Sequence, residues 1–348
     1  SERASNDGDS RLVVMSDRTF APDGTPEADA GTRRMGIPAE GTALALTGGA
    51  DDFAGIDDAV VVGDTAADPD DRSGIQSFLN HEDIDLVAAP GRTSATVQAA
   101  LVAHCERMRH RFAVLETPQA ADVAGAHLHR QSFDTDHGAI FHPWLLVPDP
   151  FGAAGALRRV PPSGHVMGIY ARSDREHGVW KAPANEIVRG IHALERDVTA
   201  ADQDVLNPAH VNCIRDFRSA GRGIRLWGAR TLSSDPEWKY VNVRRLVMFL
   251  EHSIGKGTEW AVFEPNAQPL WTAVEGAITT FLSSIWRSGG LNGATQRDAF
   301  FVKVGPNVTM TQHDIDEGRL VVEVGVAPLK PAEFVIFRIV QKTADAAD

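Results

Sequence analysis

The stretch IDLVAAPGRTSATVQAALVAHCERMRHRFAVLE, residues 84–116, decides the fold class. IDLVAA is a short apolar run that a Pro-Gly pair ends abruptly, which predicts a strand. In the segment that follows, apolar residues recur at intervals of three and four, and Thr93 or Ser94 stands where a helix N-cap belongs. FAVLE, at 112–116, predicts a second strand. The unit is therefore β-α-β, which implies parallel strands joined by a right-handed crossover.

Segments on both sides extend this α/β pattern. Helical spacing of apolar residues is found at 186–197, at about 241–253 and in the stretch that begins at Pro269. Strand character is found at 59–63, 139–150, in CIRDF and GIRLW, and at 319–328 and 333–342. The last two runs are apolar at nearly every position. A closing strand of this kind needs cover from its own fold or from another subunit.

Composition narrows the class of protein. A formal net charge of −13 argues against binding along nucleic acid or on an anionic membrane. The N-terminus has no basic and apolar signal pattern, and no run is long enough to span a bilayer, which predicts a soluble protein made in the cytoplasm. Cys105 and Cys213 have no metal-type spacing, so buried thiols are expected.

Motifs for cofactors and metals are weak. His127 and His129 in AHLHR would share one side of a strand, but no third metal ligand is near in sequence. GRGIRLWG leads into a strand and GKGT lacks the upstream glycine of a phosphate-binding loop. No G-x-S-x-G elbow is found. We therefore predict no metal, no cofactor and no catalytic residue.

The stretch DREHGVWKAPAN, residues 174–185, concentrates reactive side chains. Glu176, His177 and Lys181 could supply an acid, a base and a charged anchor. The same stretch also carries residue types that fix a turn, fill a pocket and cap a helix expected to start at Glu186. The favoured interpretation is a structural corner built from Asp174, Arg175, Gly178, Trp180, Pro183 and Asn185.

Several long runs resemble one known family. They include HVMGIYARSDREHGVWKAPANEIVRGI, LNPAHVNCIRDFRSAGRGIRLWGARTLSSDPEWKYVNVRRLVMFLEHSI and IDEGRLVVEVGVAPLKPAEFVIFRIVQ. In this order they resemble the tail-sheath family of contractile phage tails and contractile injection systems, and the likeness extends over roughly 44–342. Members of that family usually open with an extended arm and an early β-rich segment. Neither is visible here, so an arm missing from the N-terminus is expected.

The resemblance implies a two-domain α/β sheath protomer. A poorly defined segment at 1–40 precedes an outer domain at 41–235, which contains the β-α-β unit. An α+β inner domain at 236–348 ends in exchanged strands. The resemblance assigns inter-subunit strand exchange to Phe334, Val335, Ile336, Phe337, Arg338, Ile339 and Val340.

The resemblance also implies the function. Subunits of this family form six-membered rings stacked helically around an inner tube, and the sheath contracts to drive the tube into a target. Implied partners are further copies of the chain, the inner tube protein, and baseplate and terminal cap proteins, in a phage tail or a tail-like particle. Nucleic acid binding and membrane insertion are not implied. The alternative is a soluble α/β hydrolase or a metal-dependent enzyme that uses the histidines at 127–137 or the cluster at 174–181.

Overall fold

Helices and strands are interspersed along the chain in this computed structural model, which describes residues 55–66 and 68–333. Its α-helices are α1 (Asp58–Val62), α2 (Ala95–Met108), α3 (Val123–Arg130), α4 (Ser163–His177), α5 (Ala200–Leu206), α6 (Val241–Gly257), α7 (Gln268–Arg287), α8 (Gln296–Ala299) and α9 (Gln312–Asp316). Its strands are β1 (Leu86–Val87), β2 (Phe112–Glu116), β3 (Gly138–His142), β4 (Leu145–Pro148), β5 (Leu157–Val160), β6 (Glu186–Ile187), β7 (Ala193–Leu194), β8 (Val211–Asp216), β9 (Ile224–Trp227), β10 (Phe300–Val304) and β11 (Val322–Val326).

A mixed six-stranded sheet with the order β1-β2-β3-β8-β9-β6 lies at the centre. From β1 to β8 the neighbouring strands are parallel, and β9 and β6 continue the sheet in antiparallel pairs. The predicted β-α-β unit is confirmed, since β1 pairs with β2 in parallel and α2 connects them. Ser94 caps α2 by accepting a hydrogen bond of 3.3 Å from the backbone N–H of Val97.

Helices cover both faces of this sheet. The side chains of β2 show this, since they alternate between two cores. Ala113 and Leu115 pack with residues of α2, α3 and α5. Phe112 and Val114 pack on the other face with residues of α4 and α6. A sheet buried on both faces explains why its parallel strands read as continuous apolar runs.

The C-terminal helices α6 and α7 and the hairpin β10–β11 enclose a third core. Helix α6 is shared between cores, since Val241 and Met248 belong to the sheet core while Leu246 and Leu250 belong to the third core. The helices predicted near 241–253 and from Pro269 are confirmed as α6 and α7. Both helices could be predicted from the sequence because each has a periodic apolar face.

Other sequence-level predictions of secondary structure were wrong. Residues 59–63, expected as a strand, fall mostly in α1, where Asp57 accepts a hydrogen bond of 2.9 Å from the N–H of Val60. The helix predicted at 186–197 does not form, because β6 pairs with β9 and β7 pairs with β4. AHLHR lies entirely in α3 and not on a strand. Tertiary packing and strand pairing outweigh local spacing in such short segments.

The expected strand at 139–150 is divided into β3 and β4. Pro143, which has no backbone N–H to donate to a neighbouring strand, lies between them. Strand β4 then leaves the central sheet and forms a smaller sheet of order β5-β4-β7. The predicted strand at 319–328 is confirmed as β11. The N-terminal segment, from which an arm is expected to be missing, and the exchanged strand at 334–340 both lie outside the described residues.

The two cysteines yield a test of this core. Burial raises the pKa of both Cys105 and Cys213 to about 12. Because the thiolate is the reactive form, we expect neither thiol to react with iodoacetamide at pH 8 in the folded protein. Both should react in concentrated urea, and mass spectrometry of the intact chain measures the difference. Rapid labelling of either thiol without denaturant would contradict the packing of α2 or β8.

Candidate functional site

The predicted corner begins at the C-terminus of α4 with an ion pair. Both carboxylate oxygens of Asp174 face the guanidinium of Arg245 on α6, at 3.0 and 2.6 Å. The Arg245 side chain is 8% exposed and that of Asp174 28% exposed, and the guanidinium also lies 4.9 Å from the ring centre of Tyr170. A bidentate contact of this kind fixes direction as well as distance. It joins the last turn of α4 to the first turns of α6.

Trp180 fills the space behind this ion pair. Gly178 ends α4 at a φ of 94°, and a Cβ there would lie 2.4 Å from Cζ2 of Trp180. A Cβ on Gly290, just after α7, would lie 2.9 Å from Cε3 of the same ring. The carbonyl of Trp180 accepts a hydrogen bond of 2.9 Å from Nδ2 of Asn242. Two glycines therefore allow the indole to fit between α4, α6 and the turn after α7.

The rest of the predicted corner serves β6 instead of a helix. Asn185 has a φ of 59°, and its backbone N–H donates to the carbonyl of Leu226 at 2.7 Å. Its own carbonyl accepts a hydrogen bond of 2.6 Å from Arg225. Pro183 is buried, whereas the side chain of Arg175 is 80% exposed. The expectation that Asn185 caps a helix at Glu186 is wrong, because the sheet edge takes up the backbone there.

Arg244, adjacent to Arg245, contacts a second site, in the loop before β3. Its Nη2 lies 3.0 Å from Nε2 of His137, and its Nε lies 3.0 Å from a carboxylate oxygen of Asp136. Nδ1 of His137 in turn contacts Asp136 at 2.5 Å. Burial alone would raise the pKa of Asp136, but the bond from His137 and the charge of Arg244 together hold that pKa below its usual value. Neighbouring arginines thus attach α6 to the loop before β3 and to α4.

Glu333, the last residue described, is held by a third set of charged contacts. Its two carboxylate oxygens accept hydrogen bonds of 2.7 Å from Nε and Nη2 of Arg230, whose side chain is 7% exposed. Asn207 donates to the same carboxylate at 2.9 Å, and Lys239 lies at 3.6 Å. Burial alone would raise the pKa of Glu333, but these donors and charges lower it to about 2. The chain is therefore anchored immediately before the segment assigned to strand exchange.

The proposed acid, base and anchor of an enzyme are not assembled. Glu176 and His177 are exposed at the end of α4. Lys181 forms an ion pair of 2.6 Å with Glu186, which occupies its ammonium group. These three side chains therefore have separate surroundings, and no common substrate position follows from them.

The carboxyl ends of the parallel strands, where α/β enzymes bind ligands, carry a polar group that the sequence reading did not consider. Glu116 ends β2, Thr117 follows it, and His142 ends β3, with its Nδ1 2.9 Å from Oγ1 of Thr117. These residues are at most 1% exposed. Burial lowers the pKa of His142 to about 4 and raises that of Glu116. A substrate cannot reach groups sealed in this way, so we interpret them as part of the core.

Among residues 55–66 and 68–333, no group of three or more His, Cys, Asp or Glu side chains could hold a metal ion. His127 and His129 do not share a face on α3, and His129 instead contacts Oε1 of Gln98 at 2.9 Å. None of the helices in the described part of the chain has the length and apolarity needed to cross a membrane.

Sequence reasoning missed the cations that hold these contacts. Arg230, Arg244 and Arg245 were not singled out, although all three are buried. The available signal was a pair of arginines within the apolar period of α6, since a buried arginine requires a partner. Identifying that partner needs the fold, because Arg245 and Asp174 are 71 residues apart.

Comparisons with known proteins agree with this architecture. Residues 66–232 match the family model described as the phage tail sheath protein central domain, and residues 233–342 match the phage tail sheath C-terminal domain. A putative prophage major tail sheath protein of Pseudomonas aeruginosa (strain UCBPP-PA14) is 28% identical over 294 residues, which are 81% of this chain and 72% of the relative.

Solved structures give the same result. The sheath complex of an extracellular contractile injection system, PVC, in its contracted state is 36% identical, with a TM-score of 0.70 over 78% of this chain and 75% of that one. The contracted helical sheath of the anti-feeding prophage is 34% identical, with a TM-score of 0.67 over 76% and 72% of the two chains.

The class defined by these matches is a structural sheath protein built from a central and a C-terminal domain. The chain belongs to the phage tail sheath protein family. The resemblance inferred from the sequence and the α/β fold class are thereby confirmed. Such a chain is a component of a phage tail or of a tail-like particle. A structural family implies a protein that is not an enzyme.

The ion pair between Asp174 and Arg245 can be tested by stability. Arg245→Ala leaves a partly buried carboxylate without its cation, and we expect the free energy of unfolding to fall by about 2–3 kcal/mol. Arg175→Ala removes an exposed arginine from the same helix end and should change it by less than about 0.5 kcal/mol. Urea unfolding of the two variants measures both values. Equal effects would contradict the assigned corner.

The anchor at Glu333 makes stability depend on pH. Its pKa is lower in the folded chain than in the unfolded one, so its contribution is present above about pH 4.5 and disappears as the pH falls towards 2. We expect Glu333→Gln to destabilise the chain by about 2 kcal/mol at pH 7 and by less at pH 3. Urea unfolding at both pH values tests this.

The control for that experiment is Glu323→Gln, because Glu323 is an exposed glutamate paired with Lys303 on the β10–β11 hairpin. Its removal should have little effect at either pH. A pH-independent effect of Glu333→Gln would show that the carboxylate is not bound as described.

Proposed function

We propose that this chain is the subunit of a contractile sheath, which polymerises as stacked six-membered rings around an inner tube and shortens to drive that tube into a target. The observation that supports the proposal best is the 36% identity, over 78% of the chain, to a sheath in its contracted state. The proposed partners are further copies of the chain, the inner tube protein, and baseplate and terminal cap proteins. Synthesis in the cytoplasm precedes assembly.

The charged contacts suit a subunit that moves as a rigid body. Arg244 and Arg245 lie in the part that matches the C-terminal family domain, whereas Asp136 and Asp174 lie in the part that matches the central domain. Breaking such partly buried pairs costs several kcal/mol, so the two parts stay locked while the subunit rotates. We assign residues 41–235 to the outer domain and 236–348 to the inner domain. The corner at 174–185 is the joint between them.

Links that persist while the subunits rotate are then best supplied by segments outside this rigid body. We assign residues 334–340 to a strand exchanged with a neighbouring subunit. Main-chain hydrogen bonds bind such a strand with little dependence on side-chain identity. The anchor at Glu333 supports this assignment because it fixes the point from which the segment leaves the body.

Packing itself can supply the energy of contraction. If the contracted arrangement buries about 200 Å² more apolar surface per subunit, it gains about 5 kcal/mol at about 25 cal/mol per Å². Summed over many rings, this is sufficient without a nucleotide. The extended arrangement would then be a kinetically trapped state that a signal from the baseplate releases.

Deletion of the exchanged strand tests the proposal. A chain lacking residues 334–348 should fold with the same circular dichroism but form no tubes when produced with the other particle proteins. A chain lacking only 341–348 keeps the strand and should assemble. Electron microscopy measures tube formation, and the widths of extended and contracted particles test contraction. Tubes of normal width from the longer deletion would contradict strand exchange, and a monomeric full chain under all conditions would contradict the sheath function.

A further inference from the structure

Arginines gather on one side of this acidic protein, around the β8–β9 hairpin. Arg222 is exposed in the hairpin turn and Arg189 is exposed just after β6, which pairs with β9. Arg215 and Arg225 project from the two hairpin strands and are partly exposed. Within the described residues, none of these four arginines forms an ion pair, whereas the neighbouring Arg218 is neutralised by Asp216 at 2.5 Å.

The guanidinium groups of this hairpin are held in place by aromatic rings. That of Arg222 lies 5.1 Å from the ring centre of Phe217 and 5.2 Å from that of Trp227. Arg215 lies 5.0 Å from the ring of Phe217, and Arg222 also donates to Oδ1 of Asn185 at 3.1 Å. Side chains held in this way lose little entropy on binding, so they can bind an anionic partner with unusual efficiency.

The arrangement disfavours nucleic acid as that partner. Proteins that bind single strands leave aromatic faces open for bases to stack on them. Here arginines already occupy the faces of Phe217 and Trp227. The net charge of −13 would also repel a polyanion from the remainder of the surface. The anion that fits is a set of carboxylates on a protein surface.

Such carboxylates lie near the opposite edge of the same sheet, beside β1. The acidic segment, residues 57–66 and 68–71, precedes β1, and α1 within it packs near α2 beside that edge. It presents side chains that form no ion pair within the described part of the chain: Asp57, Asp58, Asp64, Asp68, Asp70 and Asp71. Arg72, which directly follows this segment, donates to Asn80 at 2.7 Å. Strands β1 and β6 are the two edges of the sheet, about 24 Å apart at a strand spacing of about 4.8 Å.

We propose that the arginine hairpin of one subunit docks on the acidic segment of a second copy of this chain. The proposal rests on the sheath function proposed above. Subunits of charge −13 repel one another, so assembly needs local contacts of opposite sign. Because the two surfaces lie on opposite edges of one subunit, the contact is head-to-tail. Contacts of that kind generate rings or helical filaments instead of closed dimers.

Charge reversal and rescue test the proposal. Arg189→Glu with Arg222→Glu should reduce the yield of tubes at least tenfold, and Asp70→Lys with Asp71→Lys should do the same, because each puts like charges together. Combining all four substitutions should restore the yield to within about threefold of the parent chain. The control, Arg158→Glu with Arg297→Glu, makes the same charge change at exposed arginines elsewhere and should assemble normally. Circular dichroism and thermal unfolding verify that each variant folds.

The outcomes separate this proposal from the sheath function. If the variant with Arg189→Glu and Arg222→Glu forms tubes normally, the docking contact is overturned and the sheath function is unaffected. Weaker binding of a single-stranded oligonucleotide by that variant would not change this conclusion. Failure of the fourfold variant, with both double variants folded, would overturn the assigned pairing. Absence of tubes from the parent chain itself would instead contradict the proposed function.

Discussion

The fold depends on two neighbouring arginines that α6 carries into the interior. Arg244 and Arg245 each have the greater part of their side chain buried, and each requires an anion at bonding distance. Asp136, supported by His137, provides one, and Asp174 provides the other. Since these anions belong to the loop before β3 and to the end of α4, α6 can take only one position and one rotation against the sheet. The packing of α7 and of the β10–β11 hairpin follows from that position.

When the interior of the subunit is rigid, the segments that move must lie at its surface or beyond its last anchored residue. The proposed exchange segment begins directly after Glu333, whose carboxylate is bound by Arg230, Asn207 and Lys239. The same design separates two tasks. Partly buried ion pairs hold the interior together and are shielded from salt. Surface charges without an ion-pair partner in the described part of the chain, such as Arg222 and Asp71, remain available to other subunits, and salt weakens their attraction. Strength inside the subunit therefore need not limit movement between subunits.

The cluster at 174–185 shows how reactive residue types acquire structural roles. Asp174 forms an ion pair with Arg245, and Lys181 forms one with Glu186. Trp180 fills the space between two glycines. The assignment of this stretch as a structural corner and as a joint remains a prediction. The interpretation also included a helix after Asn185, which was wrong. Residue types indicated that the chain turns here, but only the neighbouring strand β9 decided that it continues as β6.

The sequence by itself determined the elements with long or regular apolar periods, namely α2, β2, α6, α7 and the α/β class, and long motifs determined the family. Those signals are local, because a helix or strand buries one face whatever lies opposite. Tertiary structure decided the short segments at 59–63 and 186–197 and the partners of the buried arginines. A few residues carry too little intrinsic preference to resist the packing or pairing that their surroundings impose. An ion pair between residues 71 apart, as Asp174 and Arg245 are, exists only after packing has brought them together.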